Sequence, residues 1–255
     1  MKAPFLLPLL SLLLFSCNNQ KEYYIPNYFK HGMKGNVESV YTHSYIIKDG
    51  NKEEYPKNLM FLWGDKFSMS CSRQQFDPDG NIITLTTYID WATFTDSTIV
   101  TYNYQDGRLI SSTKTTYSKE YSAPSTSAFV YTEAGILDQW DGKLFKTNED
   151  NQIYEIDSKF KVNELEIQHR ELFNDQGTMT QLYDMKTNKL SISNSFDKNG
   201  NIIQQEDYST VFSTSCRDTI VYSQFDELGN WIQRKKINVS SGDTIIQCRS
   251  IHYYK

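Results

Sequence analysis

The sequence has no excess of basic residues: Lys and Arg number 26 against 31 Asp and Glu, a formal net charge of −5 over 255 residues. A nucleic-acid partner requires at least a basic stripe to neutralise phosphates, so that class of partner is excluded. Histidines are few, and His31, His43, His169 and His252 stand far apart, without His-x-x-x-His or Glu-x-x-His spacing. No metal site and no cofactor is therefore expected. A Gly-x-Ser-x-Gly elbow, a P-loop and a dinucleotide fingerprint are also missing. Past residue 15, no apolar run reaches the about 20 residues that a spanning helix needs. The charge is too balanced, and the aromatics too many, for a chain disordered throughout.

What the sequence does have is aromatic side chains: Tyr 18, Phe 14 and Trp 4, within a hydrophobic share of only 38%. Many aromatics beside few aliphatics favour strands over helices. The length suits one large all-β domain or two small ones.

The first residues form a separate unit. Met1-Lys2 supplies a positive start, and Ala3 to Phe15 is apolar except for Pro4, Pro8 and Ser11. Roughly a dozen residues fit the apolar stretch of a secretory signal rather than a membrane span. The run ends in Leu14-Phe15-Ser16-Cys17, which resembles a bacterial lipobox, although Phe15 departs from the small or β-branched residue usual there. The resemblance implies cleavage after residue 16, with Cys17 carrying diacylglycerol on its sulfur and an acyl chain on its amine. Several chains anchor stably where one is marginal. An ordinary cleaved signal is the alternative. Asn18-Asn19-Gln20-Lys21-Glu22 then reads as a polar tether. The combination is similar to lipoproteins of the Bacteroidota type, which implies an outer-membrane lipoprotein held to the envelope through lipid. The organisation is thus a signal over 1–16, lipidated Cys17 and tether over 17–34, and one β domain over 35–255.

The body repeats. Phe76-Asp77-Pro78-Asp79-Gly80-Asn81-Ile82, Phe173-Asn174-Asp175-Gln176-Gly177-Thr178-Met179, Phe196-Asp197-Lys198-Asn199-Gly200-Asn201-Ile202 and Phe225-Asp226-Glu227-Leu228-Gly229-Asn230-Trp231 align on glycine. Fainter copies fall at Gly135 and Gly107, and one at Asn148 to Ile153 puts Asn151 where glycine stands. Asp after the aromatic can bond backbone two residues on and start a turn. Gly80, Gly107, Gly135, Gly177, Gly200 and Gly229 would supply the positive φ that closes it, as in a hairpin with a bulge. Two residues on lie Ile82, Leu109, Leu137, Met179, Ile202 and Trp231 as the inward positions. Six further, on the same face because the separation is even, lie Tyr88, Met185, Tyr208 and Ile237.

Aromatic, Asp, two or three residues, Gly, then Asn or Arg and an aliphatic: this pattern resembles the YD repeats of the Rhs family over roughly residues 70 to 255. The resemblance implies consecutive antiparallel hairpins in one continuous sheet. The large shells of that family use dozens of copies, so enclosure of cargo does not carry over. The expected fold is all-β, tandem antiparallel hairpins in one long twisted or partly rolled meander.

Candidate sites are sparse. The turn carboxylates Asp77, Asp79, Asp175, Asp197, Asp226 and Glu227 are what such turns require, and no catalytic residue is assigned. Trp231 falls on the inward position and reads as core, whereas Trp91 and Trp140 fall outside it and are the candidates for stacking on a ligand. Asp96-Ser97-Thr98, Asp218-Thr219-Ile220 and Asp243-Thr244-Ile245 resemble the O-glycosylation sequon of Bacteroidota, with Ser97, Thr219 and Thr244 as acceptors; the same residues also suit a strand leaving a turn. Cys216 and Cys248 stand in equivalent strands with a third expected between them, about 9.5 Å apart and too far for a disulfide. The expected function is non-catalytic: a lipid-anchored envelope module with a protein or glycan partner. A periplasmic carrier of an apolar ligand, marked by a lined cavity, and a carboxylate-pair glycoside hydrolase are the alternatives.

Overall fold

The computed structural model describes residues 32–48, 51–54, 71–91, 94–117, 122–150, 152–162, 165–208, 216–239, 242 and 244–255. Every described element is a strand. The first half holds β1 (Val37–Lys48), β2 (Asn51–Glu54), β3 (Cys71–Phe76), β4 (Ile82–Trp91), β5 (Phe94–Gln105), β6 (Arg108–Tyr117), β7 (Ser122–Tyr131), β8 (Leu137–Trp140) and β9 (Lys143–Thr147). The second holds β10 (Ile153–Val162), β11 (Leu165–Phe173), β12 (Met179–Asp184), β13 (Lys189–Phe196), β14 (Ile202–Asp207), β15 (Cys216–Phe225), β16 (Trp231–Asn238) and β17 (Thr244–Tyr253).

From β3 to β17 each strand pairs antiparallel with the next, as the hairpin pattern predicts. The sheet then goes further than a partial roll. β1 pairs β17 from Val37↔Tyr253 to Ile47↔Thr244, and on its other edge pairs β3 from Ser39↔Gln75 to His43↔Cys71. β2 continues along the β3 side of β1, so sixteen strands close a barrel. Closure removes both sheet edges, which a meander otherwise exposes. β16 lies between β15, which holds Cys216, and β17, where Cys248 is a free thiol.

The repeated turn is built from one acceptor oxygen. Asp77 Oδ1 accepts the backbone N–H of Asp79 at 3.0 Å and of Asn81 at 2.8 Å, while Gly80 N–H donates to the Asp77 carbonyl at 2.9 Å. Asp197 and Asp226 repeat the arrangement, and Asn148 and Asn174 perform it with an amide oxygen. Asn81, Asn201 and Asn230 each return a side-chain N–H to the second carboxylate oxygen of the turn aspartate. The glycines have φ of 79° at Gly80, 71° at Gly107, 80° at Gly135, 70° at Gly177, 81° at Gly200 and 81° at Gly229. Asn151, at the equivalent place, lies outside the described residues. Gly107 follows Asp106 at φ 51°, a two-residue turn whose positive φ values match strand twist.

Each turn is followed by a bulge that resets the side-chain phase. Phe76 pairs with Ile82 but Gln75 with Thr84, so Ile83 is the extra residue, and the same shift recurs at β5–β6, β7–β8, β11–β12, β13–β14 and β15–β16. After the apolar residue two past the turn, the next inward position is three residues further, not two. Leu85, Ser112, Trp140, Ile156, Leu182, Gln205 and Arg234 stand there, all buried. The even count to Tyr88, Tyr208 and Ile237 therefore ends on the opposite face, and Tyr208 is 43% exposed. One inserted residue exchanges the two faces of a strand.

The core sits at the turn end of the barrel. Residues flanking the turns (Phe76, Ile82, Leu109, Leu137, Ile153, Phe173, Met179) join Val37, Val40, Trp140, Ile156 and Ile192 in one cluster running from β1 to β13. Complete burial of such a side chain is worth about 1.5–3 kcal/mol. Tyrosines stitch neighbouring hairpins: Tyr104 donates to the Ile82 carbonyl and Tyr131 to that of Leu109, each at 2.8 Å. Burial, with Asp77 and Tyr131 nearby, raises the Tyr104 phenol well above its ordinary pKa. Trp140 belongs to this core. It is 8% exposed, stacks on Phe129 with centroids 5.0 Å apart, and donates its indole N–H to Ser112 Oγ at 2.8 Å. The stacking role expected of it fails, because the bulge turns it inward. The Trp91 side chain lies outside the described residues.

The described outer face is mixed. Lys146, Glu155, Asp157 and Arg170 form an outward ion-pair cluster across β9, β10 and β11, hydroxyls line β4 to β6, and Val130, Leu144, Tyr154 and Val221 are exposed beside them.

The turn oxygens give an acid-sensitive test. Asn201 and the surrounding backbone N–H groups hold the Asp197 carboxyl below its usual value, and the Thr187 backbone N–H does the same for Asp184. Burial pushes Asp226 up, but hydrogen bonds from Tyr253 and Asn230 outweigh it, so its pKa is also lowered. The unfolded chain then takes up protons first on acidification. Stability is complete above about pH 4–5 and falls as pH drops through the depressed folded values. In urea melts, Asp197→Asn should lose at pH 7 only the share that the charge supplies, since Asn148 and Asn174 already serve as the acceptor, and should converge with the parent in acid, flattening the slope. Asp197→Ala should cost about 1 kcal/mol at pH 7. Equal costs for the two would refute the acceptor role.

Candidate functional site

The ladder between β14 and β15 is short. β14 and β15 pair only from Gln204↔Thr219 to Asp207↔Cys216, although β14 begins at Ile202 and β15 runs on to Phe225. Towards the turn end these two strands part. A cleft of about 890 Å³ fills the gap and reaches inward, within the size range of small-molecule sites.

The turns on either side explain the opening. The β13–β14 turn leans on its predecessor: a Cβ at Gly200 would lie 2.0 Å from Gln176 Oε1. The β15–β16 turn is drawn the other way. Asn230 accepts the Lys34 N–H at 2.7 Å through Oδ1, and through Nδ2 donates to the Lys34 carbonyl and to the Tyr253 hydroxyl, both at 2.9 Å. Tyr253 also donates to the Asp226 carboxylate, which together with burial raises the phenol's pKa. Lys34, read from the sequence as the end of the tether, is therefore fastened to the barrel.

The lining is mixed. Ile202, Ile220, Tyr222, Phe225 and Trp231 provide apolar surface, and Arg249 and Lys34 provide positive charge. Ile202 and Ile220 are buried but stand apart from the main core cluster. Trp231, expected as core, is half-buried at the inner wall. Arg249 lies 3.5 Å and Arg234 4.3 Å from its ring centroid. Both guanidiniums therefore crowd the indole. Tyr222 meets its edge at 5.9 Å. Asp197 is the carboxylate among the described lining residues, and its oxygens are engaged by Asn199 and Asn201.

Deeper in, inward polar residues satisfy one another. Lys236 contacts Asp218 at 3.0 Å and donates to Gln205 at 2.5 Å, with lysine and aspartate side chains 4% and 7% exposed. Gln205 donates to Asn194, which donates to the Met179 carbonyl, and Asn238 donates to Asp218. Arg234, fully buried, donates to Gln247 at 2.8 Å.

The glycosylation candidates do not line the cleft. Thr219 is exposed on the outward face of β15, and Ser97 and Thr244 are half-buried on β5 and β17. Cys17 and the signal segment lie outside the described residues. No group of His, Cys, Asp or Glu suited to a metal ion occurs among the described residues. Sequence reading missed Ile220, Tyr222 and Arg249. The available signal was Arg234 and Lys236 alternating after the β15–β16 turn, where the bulge phase makes both inward.

No protein-family model matches the chain, and no curated protein matches it. Among solved structures it is similar to a porin-like protein from Bacteroides uniformis, at 10% identity and a TM-score of 0.34, covering 85% of this chain and 98% of that one. A LolA superfamily protein from Nitrosomonas europaea matches at 8% identity and 0.23, covering 90% of each chain. The Photorhabdus luminescens Tc holotoxin pore matches at 13% identity and 0.31, over 81% of this chain and 11% of that one.

Proposed function

We propose that this is an exported cell-envelope protein, anchored through lipid on Cys17, whose barrel is a non-catalytic binding module with its ligand site in the β14–β15 cleft. The observation that carries this reading is the lined cleft where the ladder stops. It favours the carrier of a ligand with an apolar part over a purely structural shell, because Ile202, Ile220, Tyr222 and Phe225 line the cleft instead of joining the main core cluster. A glycan platform built on Trp231 is disfavoured, since two guanidiniums already pack against the ring. A hydrolase is disfavoured too, because the described lining offers one engaged carboxylate rather than a facing pair.

The full-length protein, extracted from its envelope and irradiated with an uncharged aryl diazirine, should be labelled at Ile202–Ile203 and Ile220–Phe225 ahead of the exposed Val130 and Leu144. Ile220→Trp should suppress that labelling by filling the cleft. Equal labelling of the outer surface would overturn the site. Cys17→Ala should abolish incorporation of a fatty-acid analogue into the protein, and maturation of that variant at another residue would overturn the anchor.

A further inference from the structure

The cleft combines two features that a purely apolar carrier does not need. Its lining includes the apolar Ile202, Ile220, Tyr222 and Phe225 beside polar Gln74, Gln176, Thr178 and Asn201, while Arg249 lines it too and Lys34 lies beside Gly229. The chain as a whole is acidic, at −5, yet the described lining holds two cations and one carboxylate. That carboxylate, Asp197, already accepts the backbone N–H groups of Asn199 and Asn201 and the Asn201 amide. The Arg249 guanidinium is also packed, its central carbon 3.5 Å from the Trp231 ring centroid, with that of Arg234 at 4.3 Å. A guanidinium already packed against a ring loses less freedom when an anion arrives.

We propose that the cleft takes a single-chain anionic amphiphile, with its acyl part against Ile202, Ile220, Tyr222 and Phe225 and its carboxylate or phosphate against Arg249. This rests on the reading of the cleft as a ligand site and adds the charge of the ligand. A volume of about 890 Å³ accommodates one acyl chain with its headgroup. A neutral sugar is the poorer occupant, because Arg249 and Arg234 already pack against the Trp231 ring.

The test uses the full-length protein extracted from its envelope, irradiated with diazirine-bearing palmitic acid, its methyl ester, or a monoacyl glycerophosphate with the same chain, and mapped by peptide. At the Ile220–Phe225 peptide, the acid or the phosphate should outlabel the ester by about tenfold or more, as one charge-assisted hydrogen bond allows. Which of the two leads identifies the headgroup. Arg249→Gln should reduce that preference to within about twofold and leave ester labelling unchanged, which also shows that the variant is folded. Arg249→Lys should retain part of the preference. Equal labelling of the cleft by all three probes would overturn the anionic inference and leave the cleft as an apolar site. Absence of label from the cleft with every probe would overturn both.

Discussion

Asp218→Leu should destabilise the barrel by about 3–5 kcal/mol, because it leaves the Lys236 ammonium buried without its counter-ion. The pair is almost sealed from water, at 4% and 7% side-chain exposure, with nitrogen and oxygen 3.0 Å apart. Lys236→Met should cost a similar amount by stranding the carboxylate, which would retain only Asn238. The double variant Asp218→Leu/Lys236→Met should recover most of the loss, since a buried ion pair and a well-packed apolar pair are often close in free energy. Urea melts of the four proteins measure the coupling directly. Single variants that each cost less than about 1 kcal/mol would show that the pair is solvated and the barrel interior wet at that level.

The second large effect is expected at Trp140. Trp140→Ala should cost about 3–5 kcal/mol, from lost burial and the cavity left between Phe129 and Tyr102. Trp140→Phe should cost less: it keeps the stack on Phe129 and loses the hydrogen bond to Ser112. Neither change should alter photolabelling of the β14–β15 cleft, because Trp140 lies in the core cluster and not in the cleft lining. Thermal melts and the labelling pattern separate the two roles. A Trp140→Ala protein of undiminished stability that loses ligand would restore the stacking role first expected for this residue.

Trp140 and Trp231 exchanged roles between sequence and structure for one local reason and one global reason. The local reason is the bulge. Counting by twos from the turn puts Trp140, five residues past Gly135, on the solvent face, but the extra residue after each turn moves it inward. The same displacement brings Arg234 inside, where it packs against Trp231. Because the turns already resembled hairpins with a bulge, carrying the phase shift along the strand would have recovered both residues. The global reason concerns Trp231. It does occupy the inward position after its turn, yet it falls in the sector where β14 and β15 part, so the packing that would make it core is missing there.

Sequence alone determined the hairpins. Their signals are local: an acceptor oxygen after an aromatic, a glycine three residues on, and an apolar residue beyond it, all within reach of one turn. That is enough to fix an antiparallel meander and the pairing order from β3 to β17. Only the tertiary structure decided that the meander closes. Closure joins Val37–Ile47 to Thr244–Tyr253 across nearly the whole chain, and it is driven by the burial of the combined apolar faces rather than by any motif at either strand. It also decided where the barrel stays open, because the turns beside β14 and β15 are tied to different neighbours, Gln176 on one side and Lys34 with Tyr253 on the other. Those ties link residues up to 196 positions apart, and no local pattern in the chain encodes them.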